Sequence, residues 1–130
     1  LGDVYKRQIE SQIKDATAKL GEIINSNKKA QQGKADYEKA TSAWEEYLST
    51  SDEVYKLSRD NKQAEAAKIM IGSAYESYMS FVKQLNTLHD DFQVELDNAK
   101  TLANICTIII FIVIISPQVS RRLPRGYTFN

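Results

Sequence analysis

The side chains best suited to metal or redox chemistry are few. The chain has one histidine, His89, followed by Asp90 and Asp91, and one cysteine, Cys106. Adjacent helical positions point in different directions, so the His-Asp-Asp run predicts a solvated surface and not a metal site. Cys106 lies in an apolar run, which predicts a buried, inert thiol, and a single cysteine excludes a disulfide within the chain. We therefore expect no metal centre and no cofactor.

The common catalytic motifs are also missing from the sequence. It has no glycine-rich phosphate loop and no Gly-x-Ser-x-Gly elbow. Its 17 basic and 17 acidic residues give a net charge of zero, whereas a nucleic-acid-binding surface favours a basic stripe. We therefore expect neither an enzyme nor a nucleic-acid partner.

Two groups of side chains are candidates for binding a small ligand. Lys56, Arg59, Lys62 and Lys68 flank a predicted turn, where they would bind a carboxylate or, more commonly, form a solvated charged cap. Aromatic rings at helical spacing line a site between helices or, more commonly, pack the helices together. No ligand contact is assigned from the sequence. The residues expected to pack the bundle are Trp44, Tyr47, Tyr75, Tyr78, Leu85 and Phe92.

Three runs of apolar residues at three- and four-residue intervals predict the helices that would position these side chains. The predicted helices cover residues 9–28, 34–59 and 62–100. Gly33 marks the first connection, and Asp60-Asn61 predicts a chain reversal because both residues tolerate a left-handed backbone. Short connections favour antiparallel neighbours, so we predict an all-α fold in which residues 9–100 form part of a four-helix bundle.

The third apolar stripe is the longest, extending from Ala67 to Leu102. No proline occurs between residues 62 and 116, so this helix is expected to run without interruption into the segment that follows. Gly72 within it predicts a hinge or, more commonly, close packing against a neighbouring helix. Three helices leave a groove that a partner chain or a missing N-terminal helix would fill, so residues 9–100 alone should associate or be poorly stable.

Residues 101–120 are uncharged, and their centre from Ile105 to Ile115 is strongly apolar. Twenty helical residues rise about 30 Å, which matches the hydrocarbon thickness of a bilayer. We predict a transmembrane helix here, with Ile105, Ile110, Phe111 and Ile115 in the span. The alternative is a buried core helix, but no other part of the chain is expected to surround the run.

The flanking charges predict an orientation for this helix. Arg121, Arg122 and Arg125 follow the apolar run, whereas Lys100 is the basic residue directly before it. Because positive residues favour the cytoplasmic side, the part before residue 101 should be extracytoplasmic and the C-terminus cytoplasmic.

The two ends of the sequence differ from the helical part between them, and we make a separate prediction for each. Residues 1–8, Leu-Gly-Asp-Val-Tyr-Lys-Arg-Gln, resemble a translated sequencing-library adapter and are set aside as non-native. Residues 121–130 form a short basic tail, and its part from Leu123 to Asn130 has no helical pattern, which is typical of a disordered terminus or of a frameshift product. We expect the sequence to be a fragment of a longer protein.

Several segments carry a family resemblance when they are taken in order. They are Tyr37-Glu-Lys-Ala-Thr-Ser-Ala-Trp-Glu-Glu-Tyr-Leu48, Val54-Tyr-Lys-Leu-Ser-Arg59, Lys62-Gln-Ala-Glu-Ala66, Gly72 and the apolar run. Together they resemble the four-helix-bundle sensor domain of bacterial methyl-accepting chemotaxis proteins. In that family the third helix has a similar Trp-x-x-Tyr pattern, and the fourth helix continues into the second transmembrane segment. The resemblance covers residues 9–116.

The resemblance implies a fragment of a chemoreceptor in the bacterial inner membrane. Such a receptor is usually a homodimer that senses a small organic ligand, directly or through a periplasmic binding protein. Its last helix passes a displacement through the membrane, and shifts on the order of 1–2 Å are sufficient for switching. The sequence does not include the family's first transmembrane segment, first bundle helix, linker or methylated signalling region, so alone it is not expected to signal to a kinase.

Two alternatives stay open at this point. One is a membrane-tethered helical scaffold or dimerisation module that binds no ligand. The other is the sensor of a histidine kinase or a nucleotide cyclase, since the output region of a receptor would lie downstream of these residues.

Overall fold

A computed structural model of the chain describes the backbone of residues 2–122 and the side chains of Val4 and residues 6–114. The regular elements within this range are helices, which confirms the all-α class. They are α1 (Gly2–Ser26), α2 (Lys28–Gln32), α3 (Lys34–Arg59), α4 (Gln63–Ile69), a π-helical segment (Met70–Ala74), α5 (Tyr75–Phe92) and α6 (Asp97–Arg122). Residues 2–8, interpreted as non-native, form the first two turns of α1, and residues 123–130 of the predicted tail lie outside the described range.

The helices α1 and α3 are antiparallel. At one end the Tyr37 hydroxyl donates to Asn25 Oδ1 over 2.8 Å. At the other end the Lys6 ammonium donates to the carbonyl of Ser58. The connection between them contains the short α2, whose first turn is capped by the Asn27 side chain, because an amide oxygen satisfies a free N–H at a helix start.

The chain reverses again after α3, as the Asp60-Asn61 pair predicted. Asn61 has a left-handed backbone with φ of 60°. Its amide donates to the carbonyl of Ser58 over 3.1 Å, and the amide of Lys62 donates to the carbonyl of Leu57 over 2.8 Å. These two bonds satisfy carbonyls that every helix end leaves free, in the arrangement known as a Schellman motif.

The helix α5 returns antiparallel to α3. Trp44 contacts Phe81 with ring centroids 5.0 Å apart, and Tyr47 contacts Tyr78 with centroids 5.9 Å apart. Tilted ring pairs at these distances are favourable because ring edges and faces carry opposite partial charge. The aromatic rings therefore fix the register between α3 and α5.

The buried stripe of α4 and α5 begins one residue earlier than the sequence predicted. Ile71 is 69% exposed and Tyr75 is 52% exposed, so the prediction that Tyr75 packs in the bundle is wrong. The predicted stripe consists of larger apolar side chains such as Ile71 and Tyr75. The observed interface contains several small side chains, which let the helices approach closely. From Leu85 onward the prediction agrees with the structure. The residues buried before that point are Gln63, Ala66, Met70, Ala74, Ser77 and Phe81.

Gly72 lies in the π-helical segment and not against a neighbouring helix. A Cβ atom built at this position would meet nothing within 4 Å. The prediction of close packing at Gly72 is therefore wrong. A π-helical turn inserts one extra residue into a helix. Gly72 is the central residue of the π-helical segment Met70–Ala74.

The long third helix is interrupted, contrary to prediction. Residues 93–96 separate α5 from α6, and Gln93 has a left-handed backbone with φ of 51°. The amide of Gln93 donates to the carbonyl of His89, and His89 Nδ1 donates to the carbonyl of Val94, both over 2.7 Å. A side chain thus closes a turn that contains neither glycine nor proline, although the left-handed residue costs about 1–2 kcal/mol.

The helix α6 occupies the fourth position of the bundle. Thr107 Oγ1 lies 2.8 Å from the Tyr47 hydroxyl, and Ser58 Oγ donates to the carbonyl of Val113 over 3.1 Å. These contacts place α6 parallel to α3, while its closest packing is against α1. The expectation that no part of the chain could surround the apolar run is therefore wrong.

Candidate functional site

A groove between α1 and α3 is the candidate ligand site. It encloses about 570 Å³ and is open to solvent along one side. Its walls are α1 and α3, which are also joined by the Lys6–Ser58 hydrogen bond and the Arg59–Glu10 pair near the start of α1 and the end of α3. The lining residues are Glu10, Ile13, Lys14, Thr17, Leu48, Ser49, Ser51, Asp52, Tyr55 and Arg59.

Tyr55 lines the groove and has a hydroxyl that is buried beneath the groove surface. The Tyr55 oxygen is buried and has no hydrogen-bond partner among the described residues. Burial raises the pKa of Tyr55 well above its usual range, so the hydroxyl stays protonated and able to donate. A buried hydroxyl without a partner is costly, and a ligand that accepts from Tyr55 would remove that cost.

Charges of both signs surround the groove. Arg59 Nε lies 3.9 Å from Glu10 Oε1 across the two helices, and Lys56 Nζ lies 3.6 Å from Asp52 Oδ2 on α3. The Arg59 pair is long and solvent-exposed on one side, so it contributes little stability. A ligand with a carboxylate and an ammonium group could replace it with two pairs of its own.

The groove contains only part of the basic cluster noted in the sequence. Arg59 lines it, and Lys56 pairs with Asp52 at its edge. Lys62 and Lys68 are exposed and lie outside the lining. The sequence analysis missed Tyr55 because this residue lies beside the apolar stripe of α3 and not on it. No motif around Tyr55 marks it as a binding residue.

With the exception of the exposed Tyr75, the predicted packing residues lie in the interior and not in the candidate ligand site. Trp44, Tyr47 and Leu85 are buried, and Tyr78 and Phe92 are partly buried against the core. Burial raises the pKa of Tyr47 to about 12, since the ionised phenolate would lose its hydration. The Tyr47 hydroxyl contacts Thr107 Oγ1 on α6. It is therefore engaged in packing and is not a candidate ligand contact.

His89 serves the turn after α5. Its Nδ1 donates to the carbonyl of Val94, and the described residues contain no group of three His, Cys, Asp or Glu side chains that could hold a metal ion. Cys106 is buried in α6, as expected for an inert thiol.

Among the helices that the structure describes, one is long and apolar enough to cross a membrane. The window Asp97–Ile114 in α6 has 18 residues with a mean hydropathy of 1.6, and a third of it is buried within the bundle. Length and composition are the basis for this, and a core helix passes the same test. Ile110 is buried, Ile105 and Phe111 are partly exposed, and the side chain of Ile115 lies outside the described residues.

These features define an all-α antiparallel bundle with a polar groove on one side and an apolar helix on another. Comparison with protein-family models, with curated proteins and with solved structures finds no match to the chain. The resemblance to chemotaxis receptors therefore stays a prediction, and the function is argued from the fold and the groove.

Proposed function

We propose that this chain is the sensor region of a bacterial membrane chemoreceptor. It binds a small organic ligand in the groove between α1 and α3, outside the cytoplasm, and α6 carries the signal through the inner membrane. The observation that supports this most is the position of α1, which supplies Glu10, Ile13 and Lys14 to the groove and also packs along α6.

The same helix thereby connects the ligand to the apolar segment. A ligand that accepts from Tyr55 and separates Glu10 from Arg59 shifts α1 against α3. Because packed helices have discrete arrangements, a shift of about 1–2 Å is sufficient to move α6. The stiffness of a helix carries that displacement along its length.

The charges after the span support the proposed orientation. Arg121 and Arg122 are the last residues of α6, and positive residues favour the cytoplasmic side. The residues that line the groove all precede the span in the sequence, so the proposal assigns them to the extracytoplasmic side. The working form in this proposal is a homodimer, as the resemblance to chemoreceptors implies.

A thermal-shift screen tests ligand binding. The chain is heated with individual amino acids and organic acids, and a ligand at 100 times its Kd should stabilise the fold by about 2.7 kcal/mol. Arg59→Gln and Tyr55→Phe should abolish the shift. Lys39→Gln is the matched control, because Lys39 is exposed on α3 and does not line the groove.

Two results would contradict the proposal. If no compound changes the melting temperature, the result would favour the scaffold alternative or sensing through a binding protein. A shift that survives in both Arg59→Gln and Tyr55→Phe would place the ligand elsewhere on the molecule.

A further inference from the structure

Two hydroxyl groups in the wall of the groove lack hydrogen-bond partners. Ser51 and Tyr55 both line the groove, and neither Ser51 Oγ nor the Tyr55 oxygen bonds to any of the described residues. Ser51 is 2% exposed, and the neighbouring Tyr47 hydroxyl contacts Thr107 instead. Buried hydroxyls without partners are costly in a folded protein. A ligand that bonds to both would remove that cost.

The two hydroxyls belong to one face of α3. Four residues separate Ser51 from Tyr55, so they occupy successive turns of the helix, about 6 Å apart along its axis. A hydroxyl can both donate and accept a hydrogen bond. The pair therefore suits a ligand that has several groups of the same kind, set along a chain or around a ring.

The groove is more polar than most small-molecule sites, whose walls are mainly apolar. Of its ten lining residues, eight are polar, and the two aliphatic ones are Ile13 and Leu48. Thr17 and Ser49 add two further hydroxyl groups to the lining. This composition favours a hydroxyl-rich ligand, whose C–H bonds would contact the two aliphatic side chains.

The charges of the lining disfavour an anionic group at the buried hydroxyls. Burial is the main cause of the raised pKa of Tyr55, and the carboxylates of Glu10 and Asp52 add to it. Both carboxylates would repel a second negative charge at Tyr55. The basic lining residues Lys14 and Arg59 are exposed, so they would compensate a charge at the rim and not at this depth. A neutral group avoids the cost of burying an unpaired charge.

A neutral hydroxyl ligand can enter where a weak contact joins α1 to α3. Glu10 Oε1 and Arg59 Nε are 3.9 Å apart, which is longer than a hydrogen bond. One ligand hydroxyl can donate to Glu10 while another accepts from Arg59, so both charges keep a partner. The covered oxygens of Ser51 and Tyr55 become accessible as α1 moves away from α3.

We propose that the groove binds a neutral polyhydroxyl compound, a sugar or a linear polyol, through the hydroxyls of Ser51 and Tyr55. This inference rests on the proposed function, in which the groove is the ligand site, and it names the class of ligand. Hydroxyls of the ligand accept from Tyr55 and donate to Glu10. Insertion of the ligand between Glu10 and Arg59 is then the step by which binding shifts α1.

Saturation-transfer NMR on the full chain tests this class with probes that differ mainly in charge. Glucose, galactose and mannose are each compared with the corresponding uronate and amino sugar, and sorbitol is compared with gluconate. Amino acids and organic acids form a separate set. At least one neutral compound should bind, and its anionic counterpart should bind about tenfold more weakly because of the repulsion by the two carboxylates.

Variants that remove single hydroxyls test the assigned contacts. Ser51→Ala and Tyr55→Phe should each weaken binding of the neutral compound about tenfold. Neither should lower the melting temperature without ligand, because each removes a hydroxyl that has no partner in the fold. The matched controls Ser42→Ala and Tyr75→Phe alter exposed residues outside the groove and should leave binding unchanged. Glu10→Gln should narrow the difference between the neutral compound and its anionic counterpart.

The outcomes separate this inference from the proposed function. Binding of amino acids or organic acids, without any neutral compound, overturns the polyhydroxyl class and leaves the receptor groove standing. Absence of binding in both sets overturns both proposals and leaves water as the partner of the hydroxyls. Unchanged binding in Ser51→Ala and Tyr55→Phe overturns the assigned contacts. A large loss of stability in Ser51→Ala would overturn the assignment of this hydroxyl to a ligand, since it would then serve the fold.

Discussion

The ring of Phe92 requires glycine at position 33, at the end of the bundle where α2, α3 and α5 meet. A Cβ atom at Gly33 would lie 2.0 Å from Phe92 Cε2, although the φ of −91° suits any residue. We expect Gly33→Ala to destabilise the fold by about 1–3 kcal/mol through overpacking. Urea denaturation measures the loss.

Two further variants separate this clash from a general effect of alanine. In a Phe92→Ala background, Gly33→Ala should cost much less, since the ring is gone. Gly21→Ala is the control, because its Cβ would meet Trp44 at an ordinary 4.0 Å. A loss at Gly33 that persists without the ring would show that the contact is not its cause.

Tyr47 predicts a stability change at high pH. Burial raises its pKa from 10 to about 12, so the folded chain retains the phenol proton more tightly than the unfolded chain. The resulting stability is fully present below pH 10 and is lost as the pH rises through 12. The loss is about 3 kcal/mol for a two-unit shift.

Urea unfolding between pH 9 and 12 tests this assignment. Tyr47→Phe should fall less steeply with pH than the parent chain, although Tyr55, whose pKa is also raised by burial, keeps part of the slope. Parallel profiles for the parent chain and Tyr47→Phe would contradict the assignment.

At the scale of the elements, the contact between α3 and α6 includes the backbone carbonyl of Val113, which Pro117 leaves without its helical hydrogen bond. Pro117 has no amide hydrogen, so the carbonyl of Val113, four residues earlier, lacks its usual helical donor. Ser58 Oγ supplies the missing bond over 3.1 Å. We expect Ser58→Ala to cost about 1–3 kcal/mol, because it leaves a buried carbonyl unsatisfied.

A double-mutant cycle with Pro117→Ala checks this explanation by urea denaturation. Alanine at 117 restores an amide hydrogen to the helix, so Ser58→Ala should cost little in that background. Equal costs in both backgrounds would mean that Ser58 acts through its other surroundings and not through Val113.

The sequence predicted some elements well because their signals are local. Asp60-Asn61 supplies the left-handed residue that ends α3, and the apolar stripes of α1 and α3 have a clear helical period. The turn at Gln93 was missed because its left-handed residue is not glycine and its closure depends on the His89 side chain. Tyr75 was misplaced because the sequence does not show whether an interface takes large or small residues.

The candidate groove is even less visible in the sequence. Arg59 was noticed as part of a basic cluster, but its distance of 3.9 Å from Glu10 depends on how α1 and α3 pack. The buried hydroxyl of Tyr55 depends on the same packing. Long-range pairings of this kind have no signal in residue spacing, so the groove could be described only from the fold.

On the scale of the whole molecule, α6 occupies the position for which the sequence predicted a partner chain or a missing N-terminal helix. Three predicted helices left a groove for a second chain, and the structure fills that position with the apolar run itself. The closest helix pairs are α3 with α5 and α1 with α6. The bundle therefore consists of two pairs, and α1 depends on α6 for most of its packing.

Removal of α6 should consequently leave α1 without its main partner. A chain of residues 2–96 exposes the face of α1 that contains Ile13, Leu20 and Ile24, which are buried in the closed bundle. We expect this chain to associate or to lose most of its stability, since each buried aliphatic side chain contributes about 1.5–3 kcal/mol. Sedimentation and urea denaturation measure both effects, with residues 2–114 as the control that retains the described packing of α6. If residues 2–96 were a monomer as stable as residues 2–114, then α3 and not α6 would be the element that holds α1 in place.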